Sequence, residues 1–302
     1  MAALAAGCTP ETADVQPPRE VSELLVQPAQ LTLQAGSEAW LGAQANDSAG
    51  RPIGGAAFRY RSADPRVLRV TEAGGVLALG PASPGTDVVV TSGGRERRVP
   101  VTVLPGPPQR IERLEGDGQQ VLSGEEARDL LVARLLDAFG NPLENEQVVI
   151  ESSAELFEPV TATSGPGGVV RFQLPALTRA GTALVGMRVR GAAAAAESFS
   201  VQVLPAAPAS IEAASAAAGE PLRLVVADAF GNPVPDVEVT ASFTGTDAAP
   251  LVLRTDASGL VLVPAPAGPS DAPATAEISL AGGALRRTVE WPPTPVVDGP
   301  GP

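Results

Sequence analysis

Apolar and polar residues alternate over short runs along this chain, at the two-residue period of a strand with one buried face. Three of these runs are equivalent: Leu41, Ala43 and Ala45; Leu131, Ala133 and Leu135; Leu222, Leu224 and Val226. Each leads into the same turn, written Asp47-Ser-Ala-Gly50-Arg-Pro52, Asp137-Ala-Phe-Gly140-Asn-Pro142 and Asp228-Ala-Phe-Gly231-Asn-Pro233, which recurs after 90 and then 91 residues. A period of that length is too long for a solenoid unit and close to the size of a sandwich domain. The pattern therefore predicts an all-β chain of three tandem immunoglobulin-like β-sandwich domains.

The closing strands repeat as well. Val101-Thr-Val103-Leu104 and Val201-Gln-Val203-Leu204 run into Leu104-Pro-Gly-Pro-Pro108 and Leu204-Pro-Ala-Ala-Pro208, short linkers stiffened by proline, and Val289-Glu-Trp291 closes the third unit. Residues 25–104, 105–204 and 205–291 are thus expected to be the three domains. Residues 1–24 are a tether, and 292–302 a Pro-rich tail without periodicity. Two segments need arbitration. Ser123-Gly-Glu-Glu126 before Leu130 and Leu131 could open a helix with a capping box, but Pro221 in the aligned stretch of the third unit argues for strand in both. Ala192 to Ala196 is too short for a stable helix and is read as a hairpin loop.

The recurring turn has a mechanical meaning. Asp can accept from backbone amides ahead of it, Gly supplies a positive φ, and Pro fixes φ where the next strand begins. Asp47, Gly50, Pro52, Asp137, Gly140, Pro142, Asp228, Gly231 and Pro233 are accordingly read as structural. Calcium needs about six to eight converging oxygens, which the neighbouring Ala, Phe, Gly and Asn do not offer, so no metal is expected. Phe139 and Phe230 are expected to plug the ends of their own sandwiches. Trp40 points away from Leu41. It is either covered by the tether or a sheet edge, or exposed to stack on a sugar ring or a neighbouring chain.

Composition removes whole classes of chemistry. The chain of 302 residues has no histidine and no lysine, which excludes Ser-His-Asp and Cys-His catalysis, a Walker phosphate loop and a Schiff-base amine. Carboxylates are plentiful, but nothing positions Glu125, Glu126, Glu144 or Glu146 as a hydrolytic pair, and they read as solvated loop charges. Neither an enzyme nor a cofactor is expected. Against 34 acidic residues stand 21 basic ones, all arginine, for a net charge of −13. Nucleic acid is an unsuitable partner for such a surface. The densest basic run, Arg95, Arg97 and Arg98 beside Gly93-Gly94, reads as a device that discourages edge pairing. Asn46-Asp47-Ser48 matches a glycosylation sequon by chance.

With a single cysteine, Cys8, each core must hold by apolar burial alone. The run Leu4-Ala-Ala-Gly7-Cys8 resembles a bacterial lipobox, which implies lipid attachment at Cys8 after cleavage and a translation start further upstream; otherwise Cys8 is a cysteine in a loose tail.

Asp-Ala-Phe-Gly-Asn-Pro followed by an alternating Val strand, at 137–150 and 228–243, resembles the invasin and intimin type of bacterial Ig-like domain. The first unit is similar to the second bacterial Ig-like class through Leu31-Thr-Leu33, Gly36, Arg61-Ser-Ala-Asp-Pro65, Val67, Val70 and Gly74-Gly-Val76. A related turn occurs in carboxypeptidase-regulatory-like modules, of the same sandwich class. These resemblances cover 25–291 and imply sandwiches that space, present or adhere at bacterial surfaces. The expected protein is a non-catalytic lipoprotein of the bacterial cell envelope, on the outer membrane or cell surface, otherwise secreted or periplasmic. Its partners are the membrane, through the lipid, and a protein or polysaccharide ligand. The alternative is a carbohydrate-binding accessory protein.

Overall fold

The computed structural model describes residues 19–80, 85–214, 217, 219–244, 249–265, 273–280, 283 and 285–292. Cys8 and residues 293–302 lie outside them. The described residues form strands joined by turns, with two single 3-10 turns at Ser153–Glu155 and Pro166–Gly168. By contact they group into two units. One takes the residues up to Arg110 together with Leu135–Leu143, the other Ile111–Arg134 and the residues from Glu144 onward.

In the first unit the strands are β1 (Glu23–Gln27), β2 (Leu31–Gln34), β3 (Glu38–Trp40), β4 (Gly42–Asn46), β5 (Arg59–Ser62), β6 (Leu68–Val70), β7 (Gly75–Ala78), β8 (Thr86–Ser92) and β9 (Arg95–Leu104). β1 pairs with β4, and β3-β7-β6 continues that layer across Leu41. The facing sheet runs β2-β9-β8-β5. β2 lies parallel to β9, from Leu31↔Val101 to Gln34↔Leu104, whereas the other pairs are antiparallel. Alternation puts Leu24, Val26, Leu41, Leu68, Val76, Val88, Val90, Val99, Val101 and Val103 between the layers, the inward faces of an immunoglobulin-type sandwich.

The second sandwich uses β10 (Arg110–Glu115), β11 (Gln120–Leu122), β12 (Leu131–Leu136), β13 (Gln147–Ser152), β14 (Val160–Thr163), β15 (Val169–Phe172), β16 (Gly181–Val189) and β17 (Ala192–Leu204). Its sheets are β10-β12-β15 and β11-β17-β16-β13-β14. Leu131, Ile150, Leu174, Leu177, Met187 and Phe199 are fully buried. The third uses β18 (Ser210–Ala213), β19 (Leu222–Ala227), β20 (Glu238–Thr244), β21 (Leu251–Arg254), β22 (Leu260–Val263), β23 (Ala274–Leu280) and β24 (Arg286–Trp291), in sheets β18-β19-β22 and β21-β20-β23-β24. Its core is Leu222, Leu224, Val226, Val239, Ile278 and Trp291. Burying an indole leaves a donor to satisfy, and Trp291 Nε1 donates to the Glu220 carbonyl at 3.1 Å.

Two local readings change. Ala192–Ala196 is no loop but the start of β17, because the turn at Arg190-Gly191 closes earlier and β16 is long enough to pair with it, through a register shift at Val189. Residues 123–130 are turn and irregular chain, and the strand expected there starts only at Leu131. The first two amides find distant partners instead of a ladder: Ser123 N donates to Leu204 O and Gly124 N to Leu177 O, both at 2.8 Å.

Candidate functional site: the three Asp-x-x-Gly-x-Pro loops

Each loop closes on its own backbone first. The Asp N–H donates to the carbonyl four residues on (Asp47 to Arg51, Asp137 to Asn141, Asp228 to Asn232; 2.9–3.0 Å), and the Gly N–H returns to the Asp carbonyl. Gly50, Gly140 and Gly231 have φ of 75°, 82° and 83°, in the left-handed region that a Cβ disfavours. The prolines form the bridges Asn46↔Pro52, Leu136↔Pro142 and Ala227↔Pro233, where the chain resumes extended geometry. One carboxylate oxygen then completes the loop: Asp137 Oδ1 accepts from Phe139 N and Asn141 N, both 2.8 Å, and Asp228 Oδ1 from Phe230 N and Asn232 N, both 2.9 Å. Asp47 Oδ1 accepts in the same way from Ala49 N and Arg51 N.

The second oxygen separates the copies. Asp137 Oδ2 accepts from Gly106 N in the linker at 2.7 Å and from Asn141 Nδ2 at 2.8 Å. Asp228 Oδ2 accepts from Ala206 N in the next linker at 3.0 Å, from Asn232 Nδ2 at 2.9 Å, and from the Ser123 hydroxyl. In the first copy that oxygen faces the Arg51 guanidinium instead, with Nε at 2.9 Å. Exposure follows: Asp137 and Asp228 retain 3% and 2% of their surface, Asp47 7%.

The neighbouring side chains complete the contact. A methyl group added at Gly36, in the loop after β2, would stand 3.0 Å from Phe139 Cε2, and one added at Gly80 would stand 2.6 Å from Asn141 Nδ2. Gly124, after β11, is in the same relation to the Phe230 ring. Asn232 Nδ2 donates to Thr178 O at 2.7 Å, and its Oδ1 accepts from Ala180 N at 2.8 Å, so both ends of the amide are held by the loop after β15. Phe139 and Phe230 are therefore not plugs of their own sandwiches. They remain about half exposed and lie on glycines of the sandwich that precedes their loop in sequence.

Electrostatics agrees with the geometry. Burial alone would raise the carboxyl of Asp137, but donation from Gly106, Asn141 and Phe139 outweighs it and holds the group below its ordinary value. Asp228 follows the same logic and lies well below the carboxylate range: burial opposes ionisation, while Ser123, Asn232 and Ala206 favour it. Asp47 is lowered first by the Arg51 amide, against burial, with the Arg51 side chain and Ala49 adding to it. These oxygens are surrounded by donors, an arrangement that repels a cation. Among the described residues no group of three or more His, Cys, Asp or Glu is placed to hold a metal.

Sequence reasoning gives Asn141 and Asn232 no role and assigns Phe139, Phe230 and Ser123 other ones, a plug of the same sandwich and a capping box, whereas the structure brings all five to the loops. A signal was available in the copies themselves. The two loops that follow a Leu-Pro-x-x-Pro linker carry Phe and Asn, and the one that does not carries Ala49 and Arg51. Away from the loops, Trp40 keeps 64% of its surface exposed; it lies beside Gly75, where an added methyl group would stand 3.3 Å from the indole.

No family model matches the chain, and no curated protein matches it. Solved structures do. The Escherichia coli adhesin FdeC is 17% identical over 89% of this chain and 96% of that chain, with a TM-score of 0.45. A three-Ig segment of titin is 10% identical over 90% and 98%, at 0.40. The Yersinia pseudotuberculosis adhesin InvE is 14% identical over 60% and 58%, at 0.28. All three TM-scores lie below 0.5, and the immunoglobulin type of the sandwiches rests on their own sheet order.

Proposed function

We propose that this chain is a non-catalytic Ig-like spacer and adhesion-type interaction module of the bacterial cell surface or periplasm, held to the membrane by lipid on Cys8. The observation that carries the reading is the employment of its most buried carboxylates. Asp137 and Asp228 have both oxygens filled by N–H and O–H donors, a linker amide among them, so the groups that a hydrolytic site would aim at substrate here hold linkers in place. The anchor rests on Ala6-Gly7-Cys8 and the polar, Pro-containing tether that follows. Two or more acyl chains, at about 0.8 kcal/mol per buried methylene, give stable attachment where a single chain gives only reversible binding. The test uses the gene expressed in a bacterial host with an epitope tag after Pro302. Antibody should reach the tag on intact cells or after the outer membrane is opened, and Cys8→Ser should move the protein to the soluble fraction. Mass spectrometry that finds Cys8 unmodified and preceded by Gly7 in the mature chain rejects the anchor.

One observation favours the second reading, a carbohydrate-binding accessory protein. The exposed indole of Trp40 is a surface on which a pyranose ring can stack. Retardation of the protein in polysaccharide-containing native gels, abolished by Trp40→Ala, would select that reading.

A further inference from the structure

The three sandwiches treat one strand differently. β13 and β20 follow the second and third Asp loops, and each is covered on its outer side, by β14 and β21 respectively. Their counterpart β5 follows the first loop, pairs with β8 on one side, and ends its sheet; among the described residues no strand covers its other side. The hydrogen-bond phase identifies which groups are left over. Ala63 N donates to Asp87 O, so the bonded pairs alternate as Ala63↔Asp87, Arg61↔Val89 and Arg59↔Thr91. The backbone N–H and C=O of Tyr60 and Ser62 therefore face outward.

The open edge borders a cleft of about 710 Å³ lined by Phe58, Arg59, Tyr60, Arg61, Glu72 and Thr91. Arg59 and Arg61 share the exposed face, whereas Tyr60 and Ser62 point to the other side and are half-buried. Glu72 is the one acid in the lining; Glu96 stands 3.9 Å from Arg61 and is shared with Arg98. The region is basic in an acidic protein. Residues 19–110 hold ten arginines against eight carboxylates, while the whole chain carries −13.

We propose that β5 is a strand-addition site for an extended acidic segment of a partner protein. Main-chain pairing with Tyr60 and Ser62 supplies the attachment, and side chains at alternate positions supply the choice. The pattern of the partner follows from the register: acidic residues beside Arg59 and Arg61, apolar ones beside Tyr60 and Ser62, at a spacing of two. A second copy of β5 is a poor occupant, since it would set arginine against arginine.

The inference rests on the interaction-module reading, but its test is made with purified protein, so its failure leaves the cell-surface experiment untouched. The probe is a fluorescein-labelled nine-residue peptide alternating Glu and Val; its controls are the Lys and Val version, a form with N-methylated Val, and dextran sulfate. We expect saturable binding of the Glu peptide, with slowed exchange of the Tyr60 and Ser62 amides. The double variant Arg59→Glu, Arg61→Glu should weaken binding about tenfold or more, and Arg59→Lys, Arg61→Lys should largely retain it. Both pairs lie on the exposed face, and circular dichroism checks that each variant folds. The proposal is overturned by absence of saturable binding, by equal binding of the N-methylated peptide, by unchanged exchange at Tyr60 and Ser62, or by dextran sulfate binding this face where the peptide does not.

Discussion

Ser123 donates its hydroxyl hydrogen to Asp228 Oδ2 across 105 residues of sequence, and both side chains meet the amide of Ala206 in the linker between their sandwiches, each at 3.0 Å. Three elements of the second unit thus share one buried polar centre. Removing the acceptor strands its donors away from water, so Asp228→Ala should cost about 3 kcal/mol and Ser123→Ala about 1–2 kcal/mol. Because the two side chains share a partner, the double variant should cost less than the sum of the single ones. Chemical denaturation of the four proteins tests this. Additive losses would mean that the two side chains act independently.

The same carboxylates give the protein an acid dependence with a definite sign. Folded-state values of Asp137 and Asp228 are depressed, so their stabilisation is fully present above the ordinary carboxylate value of about 4. It is lost as pH falls through that value toward the lower folded-state one. Unfolding below pH ~4 should accordingly take up protons, and Asp228→Asn should flatten the acid limb of the stability curve while also lowering the plateau at neutral pH. Thermal melts at a series of pH values decide it; an unchanged acid limb in the variant would remove Asp228 from the account.

Phe230 and Gly124 form the apolar half of that joint. The ring lies where a Cβ on residue 124 would stand, and Gly124 has φ of 81° besides. Gly124→Ala meets two penalties, backbone and steric, together about 1–3 kcal/mol. Phe230→Ala relieves the steric one and on its own costs about 1 kcal/mol, since the ring is only half-buried. Partial rescue of Gly124→Ala by Phe230→Ala is the expected outcome of a double-mutant cycle. Strictly additive losses would show that the ring does not press on this glycine.

The fold class was legible because it depends on a local signal. Alternation in Leu222, Leu224 and Val226, repeated at Leu131 and Leu41, states which face of each strand is buried, and two-residue periodicity needs no knowledge of distant chain. The positions of Asp, Gly and Pro in the loops could also be read in one pass along the chain. What surrounds each carboxylate could not. The partners of Asp228 lie 22 and 105 residues away, at Ala206 and Ser123, and those of Asn232 at Thr178 and Ala180 in another loop. Phe139 and Phe230 depart from expectation for the same reason: an aromatic inside a turn looks local until the glycine beneath it is known. Ala192–Ala196 failed differently. The run is too short for a helix and so reads as a hairpin loop, but its state is decided by the length of β16 opposite.

Gly231 isolates the backbone contribution of the turn. Its φ is 83°, yet an added Cβ would have nothing within 4 Å, so any penalty at this position is conformational and not a clash. Gly231→Val should then lose about 1–3 kcal/mol, because a β-branched residue resists the left-handed region, while Gly231→Asn, which tolerates it, should lose appreciably less. Gly140, with φ of 82° and equally open surroundings, should show the same ranking. Denaturant midpoints of the Val and Asn variants at both sites make the comparison. Equal losses from Val and Asn would mean that space, and not φ, limits these loops.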